Sequence, residues 1–249
     1  MVLKHKIYLE LLTPRSLTSR EDGNQVLRLW ERYLPTCLPE KVGNWEPINH
    51  AFDLNNLDAA LNLWRWPFFA KRKKPRMEAQ IFMRRGAMPQ HATWVLNFDC
   101  GETNVDELAG FLKEAAKILN ADFGCLTLLN EAEIEAGRHN GTVTALDKKS
   151  TRFNFFIASQ DLQTSIPDVY WLTVFGPPYV KRFGKDKLLS APATKVEELG
   201  DTAVLVQLTS RLEDMRTDVA TFNAAKAELK SFLGQTAFSS TKRRTHSDE

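Results

Sequence analysis

Residues 168–192 read DVYWLTVFGPPYVKRFGKDKLLSAP, and this stretch predicts a strand, an abrupt stop and a short helix. Tyr170–Phe175 is aromatic and β-branched without any charge, which is typical of a strand that is buried on both faces. The chain must leave the sheet after Gly176, because the two prolines that follow donate no ladder hydrogen bond and suit the first turn of a helix. Gly184 can end that helix. The stretch therefore indicates architecture rather than chemistry.

The same block carries a resemblance to a known family. The block resembles the bacterial polymorphic-toxin immunity proteins of the class called immunity protein 52. The resemblance lies in the strand, in the Gly-Pro-Pro-Tyr-Val segment that begins the helix, and in the Leu-Leu-Ser-Ala-Pro segment that follows. The resemblance extends from about Ile7 to Leu233, and 170–192 is its distinctive part. It implies a non-enzymatic protein without a cofactor that binds a cognate toxin. That toxin is expected to be a nuclease of restriction-endonuclease fold, delivered by a type VI or contact-dependent secretion system.

Periodicity outside this block predicts further strands and helices. His5–Leu12 reads as a first strand, and Glu78–Arg85 with Ala92–Phe98 reads as an antiparallel hairpin. Thr103 or Asn104 is expected to cap a strongly amphipathic helix. Ala203–Leu208 predicts a late strand, and Thr217 is expected to cap the last helix. These elements predict an α+β fold with a mixed, largely antiparallel sheet and helices packed on it.

The domain organisation follows from the order of these elements. Two similar series of aromatic strand, helix, strand and helix could be two halves of one sheet or two repeated lobes. No residue-level repeat favours separate lobes, so we expect one α+β domain over residues 1–238. Residues 239–249 are predicted to form a disordered basic and polar tail.

Charge is unevenly distributed along the chain. The formal net charge is +2, but the run Lys71–Arg76 supplies five positive charges and residues 242–244 supply three. Removing these eight leaves −6, so the body of the protein is acidic. The three cysteines show no Cys-x-x-Cys spacing, which favours a reducing compartment. The sequence contains neither a typical signal peptide nor an apolar run of membrane-spanning length, so a cytoplasmic protein is expected.

Acidic groups are the first candidates for toxin contact. A nuclease has a positively charged substrate cleft, so acidic residues on an inhibitor would steer association and imitate phosphates. Two groups fit this role, or are simply solvated loops: Glu131, Glu133 and Glu135, and Glu197, Glu198 and Asp201. The net charge of +2 fits such mimicry poorly, which leaves an allosteric or partly hydrophobic interface open.

Aromatic residues are the second candidates. Trp45, Trp64 and Trp66 could anchor a protein interface, although tryptophan more often fills the core. Trp66 also precedes the basic run, and aromatics beside cations are typical of nucleic-acid binding. A run of only six residues, 71–76, favours a solvated loop instead, and the sequence does not favour nucleic acid as the partner.

An enzymatic alternative depends on the acids between residues 99 and 107. Asp99, Glu102, Asp106 and Glu107 could hold Mg²⁺ or exchange protons, but acids at a helix start also stabilise its exposed N–H groups. Cys100 could be a thiol nucleophile, or a small buried apolar residue. The five histidines are scattered without metal-ligand spacing, and no nucleophile elbow or phosphate loop is present. The sequence therefore predicts neither a metal site nor an enzyme.

Overall fold

The computed structural model describes residues 5–86, 90–130, 142–145, 153–157, 159–162 and 164–238. Strands and helices both run through this part of the chain, which confirms the predicted α+β fold. The strands are β1 His5–Thr13, β2 Lys41–Gly43, β3 His50–Ala51, β4 Phe68–Arg72, β5 Met77–Phe82, β6 Ala92–Asp99, β7 Phe123–Asn130, β8 Thr142–Ala145, β9 Phe153–Phe156, β10 Leu172–Phe175, β11 Lys195–Leu199 and β12 Ala203–Gln207. The α-helices are α1 Arg20–Tyr33, α2 Leu57–Asn62, α3 Val105–Leu119, α4 Pro177–Phe183, α5 Lys185–Leu189, α6 Asp214–Thr217 and α7 Val219–Leu233.

A single ten-stranded sheet organises these elements. Its strand order is β11-β12-β10-β7-β1-β6-β5-β4-β2-β3, and β8 pairs with β9 in a separate two-stranded sheet. The sheet was predicted to be mixed and largely antiparallel, and every strand pairing within it is antiparallel. The central strand β1 lies between β6 and β7, so both series of strands belong to one sheet.

Helices α1 and α3 cover one side of the sheet. Ser19 begins α1 with a capping box, and Asn104 caps α3 by accepting hydrogen bonds from two backbone N–H groups. An aromatic cluster joins these helices to the sheet, since the Trp94 ring lies 5.5 Å from that of Trp30 and 5.0 Å from that of Phe111. Burial of such large apolar side chains is the main source of stability at this contact. Within the described ranges, no helix combines the length and apolarity needed to cross a membrane.

The Gly-Pro-Pro-Tyr segment connects β10 to α4 through close packing. Gly176 donates its N–H to the carbonyl oxygen of Asp122 at 3.0 Å, which holds the end of β10 against the turn before β7. Pro177 and Pro178 occupy the first turn of α4, as predicted. Tyr179 is buried, and its ring packs edge-on against Phe123 and Phe175. The block therefore joins three elements of the core.

Three sequence predictions need correction. Lys71 and Arg72 belong to β4 rather than to a loop, because Lys71 lies opposite Glu78 in the neighbouring strand and both side chains are only half-buried. Glu197 and Glu198 lie in an edge strand, β11, and not in a loop. Thr217 ends α6, and Asp218 caps α7 instead, because its carboxylate accepts the N–H of Thr221 at the positive end of the helix.

A buried ion pair fixes the terminal helix to the block at 168–192. Each carboxylate oxygen of Asp168 lies 2.7 Å from a lysine ammonium of α7, one from Lys226 and one from Lys230. Burial alone would raise the pKa of Asp168, but the two lysines outweigh it and its pKa lies below the ordinary value of 3.8. Asp168 is therefore charged in the folded protein at neutral pH.

We expect Asp168→Asn to lower the free energy of unfolding by about 1–3 kcal/mol at pH 7. The depressed pKa stabilises the folded state above the unfolded pKa, and this contribution is lost as the pH falls through the folded value. The difference from wild type should therefore shrink below about pH 4 in urea titrations. Asp201→Asn in the exposed β11–β12 turn is the control, and equal stability of the two variants at pH 7 would contradict the prediction.

Candidate functional site

Strands β4 and β5 have one buried side and one half-buried side. Buried and half-buried residues alternate along Met77–Phe82, as expected for a strand with one face towards the core. Phe69 pairs with Gln80 and Lys71 with Glu78, so these four side chains share the half-buried side. The opposite side is fully buried, with Phe68 stacked 4.8 Å from Trp64. The half-buried side is therefore a sheet surface that water reaches.

Trp66 extends this surface at one end of β4. Its ring lies 6.4 Å from that of Phe82, which places it on the half-buried side. The guanidinium of Arg85 lies 5.6 Å from the centre of the same ring. Even with these contacts 49% of Trp66 remains exposed, whereas its sequence neighbour Trp64 is buried and donates a hydrogen bond to the carbonyl oxygen of Leu17. Of the two tryptophans, only Trp64 fills the core.

Trp45 lies in the loop between β2 and β3 and is 79% exposed. The next residue, Glu46, pairs with Lys71 of β4 at 2.7 Å, which holds this loop on the half-buried side of the sheet. Two residues further, Ile48 is buried again. We call the half-buried side of β4 and β5, with Trp45 and Trp66, the hairpin face. Of the three predicted aromatic anchors, Trp45 and Trp66 belong to this face, whereas Trp64 is buried and cannot contact a partner.

The basic run, residues 71–76, covers the end of β4 and the β4–β5 turn, at the other end of this face. Several of its cations already have partners: Lys71 pairs with Glu46, Arg76 pairs with Glu78 at 3.2 Å, and Arg72 donates to two backbone carbonyls at 2.8 Å each. Lys73 and Lys74 are exposed, as is Lys41 of β2. No ion pair within the described ranges involves any of these three ammonium groups. The free positive charge of the run is therefore smaller than its sequence suggests.

A cleft of about 370 Å³ opens between this turn and β2. Ile48 and Met77 are its apolar lining residues, and both are buried. Its charged lining is predominantly positive and consists of Lys41, Lys71, Arg72, Lys73 and Arg76 with Glu40 and Glu78. The charge of this lining suits an acidic side chain.

The predicted acidic contact residues lie elsewhere. Glu197 pairs with Lys113 of α3 and with Lys195, and the Lys113 ion pair holds its pKa below the ordinary value. Glu198 pairs with Lys185, so both carboxylates already have cationic partners in this chain. Asp201 is exposed in the turn that follows β11. The remaining predicted acids, Glu131, Glu133 and Glu135, and the predicted tail 239–249 lie outside the described residues.

One of the acids proposed for an enzyme, Glu107, makes a structural contact instead. The carboxylate of Glu107 accepts hydrogen bonds from the backbone N–H and hydroxyl of Thr36. Among the described residues, no group of three or more His, Cys, Asp or Glu side chains is placed to hold a metal ion. Cys100 lines a second cleft of about 310 Å³ with Thr103 and Arg216, and burial raises the pKa of its thiol. Its thiol is therefore protonated at neutral pH.

Two buried polar groups have no counterpart in the sequence predictions. Glu10 is fully buried in the central strand, where the hydroxyl of Tyr8 lies 2.5 Å from its carboxylate and the N–H of Ile157 donates to both oxygens. Burial raises the pKa of Glu10 to about 8, although these hydrogen bonds act in the opposite direction. His91 and Asp122 form a second buried pair, with Nε2 2.8 Å from Oδ2. The pattern of apolar and polar residues in the sequence does not show whether a glutamate at position 10 is buried or solvated.

The fold defines an α+β protein built on one open antiparallel sheet. No family model matches the chain, and no curated protein matches it. Among solved structures, it is similar to the Pseudomonas aeruginosa T6SS protein PA0821, with a TM-score of 0.55 and 18% sequence identity. The similarity covers 95% of this chain and 73% of that one. At this identity, the two proteins share a fold.

Proposed function

We propose that this chain is an immunity protein that binds and neutralises a cognate secreted toxin. The toxin would be a nuclease of restriction-endonuclease fold, delivered by a type VI or contact-dependent secretion system. On this proposal the chain acts by stoichiometric binding and performs no chemistry itself.

Two independent similarities support this proposal. The block at 168–192 resembles the class called immunity protein 52, and the whole fold is similar to a protein whose printed name places it in a type VI secretion system. The first similarity comes from sequence and the second from three-dimensional structure. The immunity function in this proposal comes from the sequence resemblance, and the structural similarity supports only a role related to a secretion system.

The observation that carries the proposal is the exposure of Trp45 and Trp66 on one face. Tryptophan is costly to leave in water and is enriched among the residues that dominate binding energy in protein interfaces. Trp45 is 79% exposed and Trp66 is 49% exposed, and both border the half-buried strands β4 and β5. Two exposed tryptophans on one side of the sheet support a docking site for another protein there.

Toxin rescue tests the proposal directly. Each secreted-toxin domain encoded beside this gene would be expressed in a sensitive bacterium with and without the chain, and the purified pairs would be titrated by calorimetry. We expect survival with one toxin and one-to-one binding with a Kd of about 10⁻⁹ M or lower. If no neighbouring toxin is neutralised or bound, the proposal is wrong.

Removing either tryptophan should weaken the complex. We expect Trp45→Ala and Trp66→Ala each to raise the Kd at least tenfold, about 1.4 kcal/mol or more, because each removes a large apolar contact from the interface. Ile118→Ala is the matched control, since Ile118 is an exposed apolar residue on α3, outside the hairpin face. Affinities of both tryptophan variants within a factor of two of the control would exclude the hairpin face as the contact surface.

A further inference from the structure

We propose that the partner contacts the hairpin face through an acidic surface of its own. This inference rests on the proposed function and specifies the chemistry of the toxin surface that is bound. It departs from the sequence-based expectation, in which acidic residues of this chain, Glu197 and Glu198 among them, would imitate nucleic-acid phosphates.

The first argument is the charge that the face presents to solvent. The lining of the 370 Å³ cleft contains five cations and two carboxylates, an excess of three positive charges. Lys74 adds another exposed cation beside the cleft. Lys41, Lys73 and Lys74 have no ion-pair partner in the described part of the chain, so their charges are available to a ligand. Charges of one sign around a concave surface attract a partner of the opposite sign.

The second argument is the contrast with the acids predicted to bind the toxin. Glu197 and Glu198 are matched by Lys113, Lys195 and Lys185, so in the described part of the chain these acids present little free negative charge. Among the described residues, the unpaired charge at the β4–β5 turn, on the same face as Trp45 and Trp66, is instead positive. Oppositely charged surfaces steer association and set the register of a complex. A partner that covers Trp45 would therefore place acidic groups near Lys73.

The third argument concerns the size of the surface. Trp66 and Lys73 lie at opposite ends of β4, roughly 20 Å apart at about 3.3 Å per residue. A standard protein interface covers about 800 Å² on each partner, which is wide enough to include both. One acidic and partly apolar protein surface can therefore contact the tryptophans and the lysines together.

A protein partner fits this face better than nucleic acid does. Glu40, Glu46 and Glu78 lie among the cations, so a protein surface that mixes acidic with other groups fits this face better than a uniformly charged phosphate backbone does. The three lysines that have no ion pair among the described residues are also few, because a typical DNA-binding protein makes roughly 6–10 phosphate contacts. The nucleic-acid cleft of a nuclease is usually positive, so an acidic contact surface would lie outside it. Inhibition would then act from a site beside the catalytic cleft.

Charge reversal in the β4–β5 turn tests the inference. The probe is the toxin domain encoded beside this gene, catalytically inactivated, and its binding is measured at 50 and 300 mM NaCl. We expect Lys73→Glu with Lys74→Glu to raise the Kd at least tenfold at low salt and to reduce the salt dependence that wild type shows. Lys73→Gln with Lys74→Gln should produce a smaller loss in the same direction.

A second double variant controls for net charge. Lys181→Glu with Arg216→Glu changes the net charge by the same amount as Lys73→Glu with Lys74→Glu, but at exposed positions away from the hairpin face. The affinity of this variant for the toxin domain should stay within threefold of wild type. Toxin binding that is insensitive to salt and to the change at Lys73 and Lys74 would overturn the inference and leave the proposed function intact. Binding to duplex or single-stranded DNA without toxin binding, or no binding to either, would overturn both.

Discussion

Replacing Gly176 by alanine should destabilise the protein by more than about 4 kcal/mol and sharply reduce its soluble yield. A Cβ atom at this position would lie 2.0 Å from the carbonyl oxygen of Ala121 and 2.7 Å from the Cα of Asp122. Both atoms belong to backbone, which cannot rotate away as a side chain can. The φ of Gly176 is −84°, which any residue adopts, so the requirement is for space alone.

The matched control is Gly110→Ala in α3. A Cβ at Gly110 would meet nothing within 4 Å, so alanine there should stabilise the helix by about 0.5–1 kcal/mol. Urea unfolding followed by circular dichroism compares the two variants with wild type, and soluble yield is compared if Gly176→Ala cannot be purified. A Gly176→Ala protein within about 1 kcal/mol of wild type would show that β10 can move away from the turn before β7.

The sequence predicted the elements whose signals are local. The structure confirms the strand from His5, the antiparallel pairing of β5 with β6 and the cap at Asn104. These could be predicted because the alternation of apolar and polar residues and helix capping both act within a few residues. Gly176 was recognised as the end of a strand. Its close approach to Ala121 could not be predicted, since that contact joins residues far apart in the chain.

The candidate site could be predicted only in part. Exposure of Trp45 and Trp66 depends on which helix covers which side of the sheet, and composition alone favoured a buried position for both. The sequence did not predict the edge strand β11, because its charged residues are typical of a solvated loop. In the fold, its carboxylates contact lysines of α3 and α5. Contacts between distant elements therefore decide which charges are free to bind a partner.

Glu10 gives the protein a pH dependence that its surface charges do not explain. Its carboxyl is surrounded by core residues, and among the described residues it accepts hydrogen bonds from the Tyr8 hydroxyl and the Ile157 N–H. The pKa of Glu10 is about 8 in the folded protein, compared with an ordinary value of 4.5. Between these two values the folded state holds a proton that the unfolded state has released. Raising the pH through this window therefore favours unfolding.

Because of Glu10, we expect the free energy of unfolding of wild type to fall by up to about 1.4 kcal/mol for each pH unit between about pH 5 and pH 8. Above pH 8 Glu10 should cause no further fall. Glu10→Gln cannot release a proton, so its stability relative to wild type should rise by a few kcal/mol across the same window. Urea titrations at pH 5, 6, 7, 8 and 9 measure this difference, with Glu198→Gln at an exposed position as the control. Subtracting the two proteins removes the titration of groups that they share. Parallel curves for wild type and Glu10→Gln would show that Glu10 has the same pKa in the folded and unfolded states, which would require water to reach the carboxyl group beneath Ile157.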